Sequence, residues 1–427
     1  MLDIKRIREE PDRVRERLAV RGAAGLDEAI DRTVELDAER RSVVSRVDDL
    51  RARRNEVSPR VGALKREGKE AEAEAVIREM RELGDELSAL EDRLSAVEDE
   101  LGAALLEIPN TPAEDVPPGG ESANRVLREW RPETPLEEFE RRPHWDIGEA
   151  LGLLDLPRGA KIAGSGFPVY VGAGARLERA LINFMIDLHT TEHGYTEIWP
   201  PLLVNRDAAR GTGHLPKFGD DMYHAEEDDL FLVPTAELPL TNLHAGEILD
   251  PEDVPRRYAA YTPCFRREAG AHGKDTRGLL RLHQFDKVEM MRFERPEHSD
   301  AALEELTGHA EAVLRALGLR YRVLLLAGGD LGFANAKTYD LEAWAPAVGR
   351  WLEVSSCSTY TDYQARRADV RFRPAPGDKP EYVHTLNGSG LGIARTMVAI
   401  LEAHQQPDGT VRVPEPLVEY VGTDHIA

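Results

Sequence analysis

The 427-residue sequence predicts an α+β protein: a body built on a mainly antiparallel sheet, preceded by an N-terminal antiparallel α-helical coiled-coil hairpin. Three observations lead there. Residues 1–107 hold two heptad runs of similar length separated by a short break. Proline and glycine crowd residues 108–135, which marks a linker. From 136 to 427 the texture changes to strand-like runs with aromatics and glycine turns, several joined by short loops and not by crossover helices.

In the first heptad run, apolar residues recur at alternating steps of four and three: Leu36, Val43, Val47, Leu50, Val57, Val61 and Leu64, with Arg40 and Arg54 breaking the series. The second runs Val76, Met80, Leu83, Leu87, Leu90, Leu94, Val97, Leu101 and Ala104. Between them, Gly68 suits a tight helix–helix turn, so the arm spans about 27–105. Some 40 residues per helix correspond to an arm about 60 Å long. Pro59 removes one backbone bond and is expected to kink the first helix without ending it. Charge divides along the hairpin: residues 40–69 carry ten Lys/Arg against four Asp/Glu, and residues 70–107 carry three against thirteen. A solvated helical face is the ordinary reading of such a run; a stripe for a phosphate backbone is the sharper one.

In the body, helical patterns fall near 176–193, 235–246, 299–317 and 390–403. Strand patterns fall near 195–199, 230–234, 258–268, 279–293, 320–327, 338–345, 350–356 and 382–387. Composition excludes several classes. No apolar run approaches the ~18 residues of a membrane span, and the N-terminus goes straight into charged sequence with no leader pattern. Two cysteines, Cys264 and Cys357, make neither a disulfide framework nor a zinc site, so the expected compartment is the cytoplasm. The net charge of −23 argues against nonspecific coating of nucleic acid, though not against a local basic site.

Two stretches carry chemistry. The first runs from Cys264-Phe265-Arg266-Arg267-Glu268 through Gly270, Gly273 and Gly278 to Arg281 and on to Met291. Read as a hairpin, strand alternation puts Arg266 and Glu268 on one side, with His283, Phe285, Lys287 and Glu289 sharing a face of the return strand. Cross-strand ion pairing is the ordinary explanation; a site for a nucleotide and an amine would want the same set. The second stretch, Asn387-Gly388-Ser389-Gly390-Leu391-Gly392 followed by Arg395, reads as glycines opening a helix, a weak signal alone. It has neither the GxxxxGK[ST] of a P-loop nor the context of a dinucleotide fold.

These stretches resemble the motifs of the class II aminoacyl-tRNA synthetases. Residues 258–291 around Phe265-Arg266-Arg267-Glu268 are similar to motif 2, and 385–403 with Arg395 to motif 3. The helix from Ala175 to Pro201 is similar to motif 1, which builds the dimer interface in that class. The strings Thr235-Ala236-Glu237, Arg281 through Glu289, and Glu353-Val354-Ser355-Ser356, together with the hairpin, identify the chain as a member of the seryl-tRNA synthetase family, bacterial type.

The resemblance implies a class II catalytic domain over 136–427. It implies activation of L-serine with ATP to seryl-adenylate and transfer to tRNA(Ser), with tRNA(Sec) as a second candidate acceptor. Thr235, Ala236, Glu237, Glu289, Asn387 and Ser389 would surround serine, Glu289 taking the ammonium. Arg266, Arg267, Glu268, Leu282, Phe285, Glu353, Val354, Ser355, Ser356 and Arg395 would hold ATP, Arg266 and Arg395 neutralising phosphate charge. Glu353 and Ser356 would bind Mg²⁺. Strict strand alternation puts those two on opposite faces, so a bulge or strand end is expected between them. No zinc is expected. The coiled coil, with Arg51, Arg53, Arg54, Lys65 and Arg66, would grip the variable arm of tRNA(Ser), bound across the subunits of a homodimer, with no membrane partner. Cys264 and Cys357 read as packing residues, and His283 as a holder of the hairpin. Relatives that load a carrier protein lack the long arm, and a non-catalytic scaffold would carry damaged motifs. Gly166-Phe167-Pro168 and the loop Ala271-His272-Gly273-Lys274 depart from the usual family sequence.

Overall fold

The computed structural model describes residues 1–133, 136–269 and 277–427. Pro135 of the expected linker, and Gly270, Gly273 and the loop 271–274, lie outside the described residues. The chain forms two compact units. The smaller comprises residues 2–16 and 23–108; the larger comprises Met1, residues 17–22 and 109–427.

In the smaller unit, α1 (Leu26–Arg66) and α2 (Glu70–Glu107) form the antiparallel hairpin. Gly68 turns the chain at φ +73°, a left-handed conformation that costs glycine little. Heptad residues make the seam: Val47 and Leu50 pack with Leu83 and Leu87, flanked by Val43 and Leu90. The helix runs through Pro59. Arg46, Arg51 and Arg53 on α1 pair with Glu86, Glu91 and Glu79 on α2 at 2.6–2.7 Å, so the charge asymmetry read from sequence is partly spent zipping the helices together. Toward the base, Asp37 is buried and neutralised by Arg8, Arg40 and Arg41 at 3.2–3.3 Å.

The larger unit is built on an eight-stranded sheet. Its strands are β1 (Arg125–Trp130), β2 (Thr196–Glu197), β3 (Arg256–Phe265), β4 (Gln284–Glu294), β5 (Tyr321–Leu325), β6 (Lys337–Ala345), β7 (Arg350–Thr361) and β8 (His384–Gly392). Their order is β1-β5-β6-β7-β8-β4-β3-β2, and every pairing except β2 with β3 is antiparallel. The helices that matter here are α3 (His144–Ala150), α4 (Ala173–Thr191), α5 (Ser299–Ala316) and α6 (Ile393–Ala403). Val288 and Met290 of β4 point into the main core with Leu306 and Val313 of α5 and Met397 and Val398 of α6. The residues alternating with them face the other way.

The structure corrects two readings. The stretch 387–392 is the end of strand β8, and the helix begins only at Ile393. Its glycines serve close packing: a Cβ at Gly388 would meet Cys357 Sγ at 2.7 Å, and one at Gly390 would meet His189 Nε2 at 2.5 Å. Residues 125–130, inside the proline- and glycine-rich stretch, form the edge strand β1 against β5. Among the described residues no helix is long and apolar enough to cross a membrane.

Candidate active site

A cavity of about 560 Å³ opens on the sheet face away from that core, ample for a small ligand. Strand register explains its lining. Glu289 of β4 lies directly opposite Ser389 of β8, and Asn387 lies opposite Ser358 of β7. Phe285, Lys287 and Glu289 alternate onto the cavity face as expected, beside Cys264, Thr262 and Ala260 of β3. Glu268 arrives differently from the alternation argument: β3 ends at Phe265, and Glu268 sits at φ +52° in the turn beyond.

At one end, the buried Glu289 accepts a hydrogen bond from Thr235 Oγ1 at 3.0 Å and forms an ion pair with Lys287 Nζ. Lys287 also donates to Thr235 Oγ1 at 2.7 Å. Burial pushes the Glu289 carboxyl above its ordinary range, against the pull of Lys287. Glu237 is raised by burial too, opposed by hydrogen bonding from Asn387 and the charge of Lys287, and accepts from Gln364 Nε2 at 2.6 Å. Tyr360 donates to Asn387 Oδ1 at 2.7 Å. This end is a buried pocket of fixed acceptors with one ammonium already in it.

Toward the other end, the Arg266 guanidinium stands 5.1 Å over the Phe285 ring and donates from Nε to Pro234 O at 3.3 Å. Glu268 pairs with Arg281. Arg395, on the first turn of α6, donates to Leu280 O at 3.2 Å and Glu353 O at 2.9 Å, with Glu353 Oε2 at 3.4 Å. Leu282, Val354 and Ser356 complete this end. The bulge expected between residues 353 and 356 is there: Leu341 pairs with Ser355 and Glu342 with Glu353, leaving Val354 without a partner. The extra residue puts Glu353 and Ser356 on one face.

Three of the residues expected around serine and ATP stand outside the cavity lining. Ala236 is core, Arg267 ties its backbone N–H to Asp221 O at 2.9 Å, and the buried Ser355 hydroxyl donates to Ser389 O at 2.6 Å. His283 holds the hairpin, its Nδ1 at 3.0 Å from Arg266 O and its backbone N–H on Gly166 O; Phe167 lies against its ring. Cys264 and Cys357 are fully buried, and burial pushes the Cys357 thiol up to about 12, the behaviour of packing residues. In the arm, Arg51 and Arg53 are the zipped residues described above, and Arg66 donates to Gly62 O at 3.1 Å. Arg54 and Lys65 form no ion pair among the described residues.

Sequence reasoning assigned no role to Lys287, although strand alternation placed it on the right face. It also passed over Asp340, which lies opposite Ser356 in β6 with Oδ1 buried and without a hydrogen-bond partner. Burial and the nearby Glu353 charge push that carboxyl up. Only the β6–β7 register brings it there. Among the described residues no group of three or more His, Cys, Asp or Glu side chains is disposed to hold a metal ion.

Comparisons with known proteins match both the arm and the body of the chain. Residues 1–112 match the seryl-tRNA synthetase N-terminal domain, and residues 221–404 match the class II tRNA synthetase core domain shared by the G, H, P, S and T enzymes. The chain is 54% identical over 424 residues to the serine--tRNA ligase of Gemmatimonas aurantiaca, covering 99% of each. It superposes with a TM-score of 0.95 on seryl-tRNA synthetase from Pyrococcus horikoshii complexed with ATP, at 38% identity over 100% of this chain and 99% of that one. The serine--tRNA ligase of Naegleria fowleri in complex with AMP gives 0.88 at 29% identity, over 100% and 98%.

Proposed function

The chain belongs to the seryl-tRNA synthetase family, and we propose how its cavity carries out the family reaction. That reaction is the ligation of serine to tRNA. The serine carboxylate attacks the α-phosphorus of ATP, breaking the bond to the pyrophosphate leaving group and giving seryl-adenylate. The tRNA 3′-terminal hydroxyl then attacks the acyl carbon and AMP departs.

The observation that carries the assignment is the buried Glu289, opposite Ser389, with an ammonium group already upon it. The ammonium of serine takes the place of Lys287 Nζ on Glu289 and Thr235. Lys287, released, stands beside the serine carboxylate. Ser389 and Asn387 meet the serine hydroxyl, with Glu237 behind. An amino acid without a hydroxyl leaves the buried Ser389 hydroxyl without that partner, the stronger kind of discrimination. Adenine stacks on Phe285 beside the Leu282 backbone, Glu268 accepts from its amine, and Arg395 covers its other face. Arg266 spans the α-phosphate and the serine carboxylate. No side-chain nucleophile is needed; the residues position the two substrates and neutralise charge.

The donors at Glu353 and Ser356, with the orphaned Asp340 oxygen opposite, are hard oxygens that suit Mg²⁺. Bound with ATP, the ion would neutralise phosphate charge. The arm, through Arg54 and Lys65 and the rims of Arg51, Arg53 and Arg66, would bind the variable arm of tRNA(Ser). A homodimer through α4 and its surroundings is supported by the apolar side chains exposed nearby, Ile162 and Trp199 at 78% and Val171 and Leu203 above 40%. A tRNA would then reach across subunits. Cytoplasmic location fits these partners.

The test is ATP–pyrophosphate exchange without tRNA, offered serine, threonine, alanine or glycine. Exchange with serine alone is expected; no exchange from folded protein would overturn the reading.

A further inference from the structure

We propose that His144 is a positioning residue for the nucleotide end of the cavity: it is a strut between Glu402 and the Leu279 amide that fixes the Gly278–Leu282 segment. The inference rests on the placement of ATP against Phe285 and Arg395 given above.

Glu402 and His144 are both fully buried, 258 residues apart in sequence. A buried carboxylate is costly unless its acceptors are filled. Here all are used. Glu402 Oε1 accepts from His144 N at 3.1 Å and faces His144 Nδ1 at 2.9 Å, and Oε2 accepts from Ala347 N at 2.9 Å and Val348 N at 3.1 Å. On the other side of the ring, Leu279 N donates to His144 Nε2 at 3.1 Å. A backbone amide can only donate, so Nε2 is bare and the ring proton sits on Nδ1, toward Glu402. The carboxylate therefore sets the tautomer, and the tautomer makes the acceptor that holds Leu279.

The neighbouring residues are shaped for this contact. Gly278 stands at φ +68°, and a Cβ there would lie 2.2 Å from His144 Nε2, so only glycine lets the chain pass so close to the ring. Leu280 O then accepts from Arg395 Nε, and Arg281 pairs with Glu268. Helix α6 thus grips one segment twice. It holds Leu280 directly through Arg395 on its first turn, and Leu279 through Glu402 and His144, two turns or about 10 Å further along the helix. Leu279, Leu280, Arg281 and Leu282 all line the cavity, whereas His144 and Glu402 do not. The dyad acts through the segment and touches no reacting atom. A buried apolar side chain would fill the same space without the desolvation cost, so packing alone does not account for the pair.

Two substitutions separate the two bonds. His144→Asn keeps a donor near the Nδ1 position for Glu402 and removes the acceptor for Leu279. His144→Gln carries its amide to the Nε2 position, where its oxygen can accept from Leu279. In pyrophosphate exchange, His144→Asn should raise the KM for ATP on the order of tenfold, the worth of one buried hydrogen bond, with the KM for serine within about twofold. His144→Gln should recover most of the ATP affinity, even where both variants melt earlier than the parent. Hydrogen exchange of the 279–282 backbone should rise in the first variant and stay low in the second. Equal KM values for ATP in both variants, or ATP and serine KM rising together, would overturn the proposal. Should His144→Asn fail to fold, Gly278→Ala tests the same contact from the other side and must show the same ATP-selective loss. Phe285→Ala is the control for the ATP placement: if it raises the KM for serine and leaves that for ATP, the placement has failed and not the strut.

Discussion

Glu289→Gln tests the serine end most sharply. Glu289 is 2% exposed, and its two donors, Thr235 Oγ1 and Lys287 Nζ, both sit inside the same pocket. The amide keeps the shape and one acceptor oxygen but removes the charge that faces the substrate ammonium. Removing one member of a desolvated, hydrogen-bonded charge pair costs about 2–5 kcal/mol. With one acceptor retained, about 3 kcal/mol is the expected loss, which is on the order of a hundredfold in the KM for serine. Lys287 loses its counter-ion as well and keeps only the Thr235 hydroxyl, so the substrate-free protein should also melt at a lower temperature. The KM for ATP should stay within about threefold, because the nucleotide contacts lie at the other end of the cavity. The assay is pyrophosphate exchange, varying serine at saturating ATP and then ATP at saturating serine. A serine KM within threefold of the parent value, or an equal rise for ATP, would refute the assignment of Glu289 to the ammonium.

Other expectations concern the arm and acid stability. Arg51→Glu with Arg54→Glu should raise the KM for tRNA, lower the log–log salt slope by about two, and leave adenylate formation unchanged; part of the arm effect comes from setting residue 51 against Glu91. Loss of adenylate formation with normal tRNA affinity would contradict the division of labour. Asp37→Ala leaves three converging guanidiniums at the base of the hairpin and should cost about 2 kcal/mol, below the range for a fully buried pair because the arginines are partly solvated; a helix melt followed by circular dichroism reads it, and an unchanged melt counts against the role of Asp37. Burial lowers His189 to about 3 and His309 to about 4, from an ordinary value near 6.5. The unfolded chain therefore binds protons that the folded one refuses, and stability falls as pH drops from about 6.5 toward 4, by up to ~1.4 kcal/mol per pH unit for each histidine. Urea midpoints at pH 4.5 and 7 should lie closer together in His309→Gln than in the parent; equal separations would sink the idea.

Much of the candidate site was legible because its signals are local. The alternation of Phe285, Lys287 and Glu289 is a property of one strand, and the conflict between Glu353 and Ser356 announced a bulge before any register was known. The glycines of 387–392 misled because one residue type serves two ends: a helix start and a strand pressed against its neighbours look alike until Cys357 and His189 are in place. The edge strand 125–130 was hidden for a similar reason, since its pairing is supplied by β5, almost two hundred residues away.

Sequence by itself determined the arm, whose heptads have to meet each other across a short turn, and the set of residue types that a class II site requires. Tertiary structure alone decided which of those groups touch. Thr235 reaches Glu289, Asp340 faces Ser356, and Glu402 reaches Leu279 through His144. Each of those contacts joins residues whose separation is set by the packing of distant elements, and no periodicity in a single chain encodes a distance of that kind.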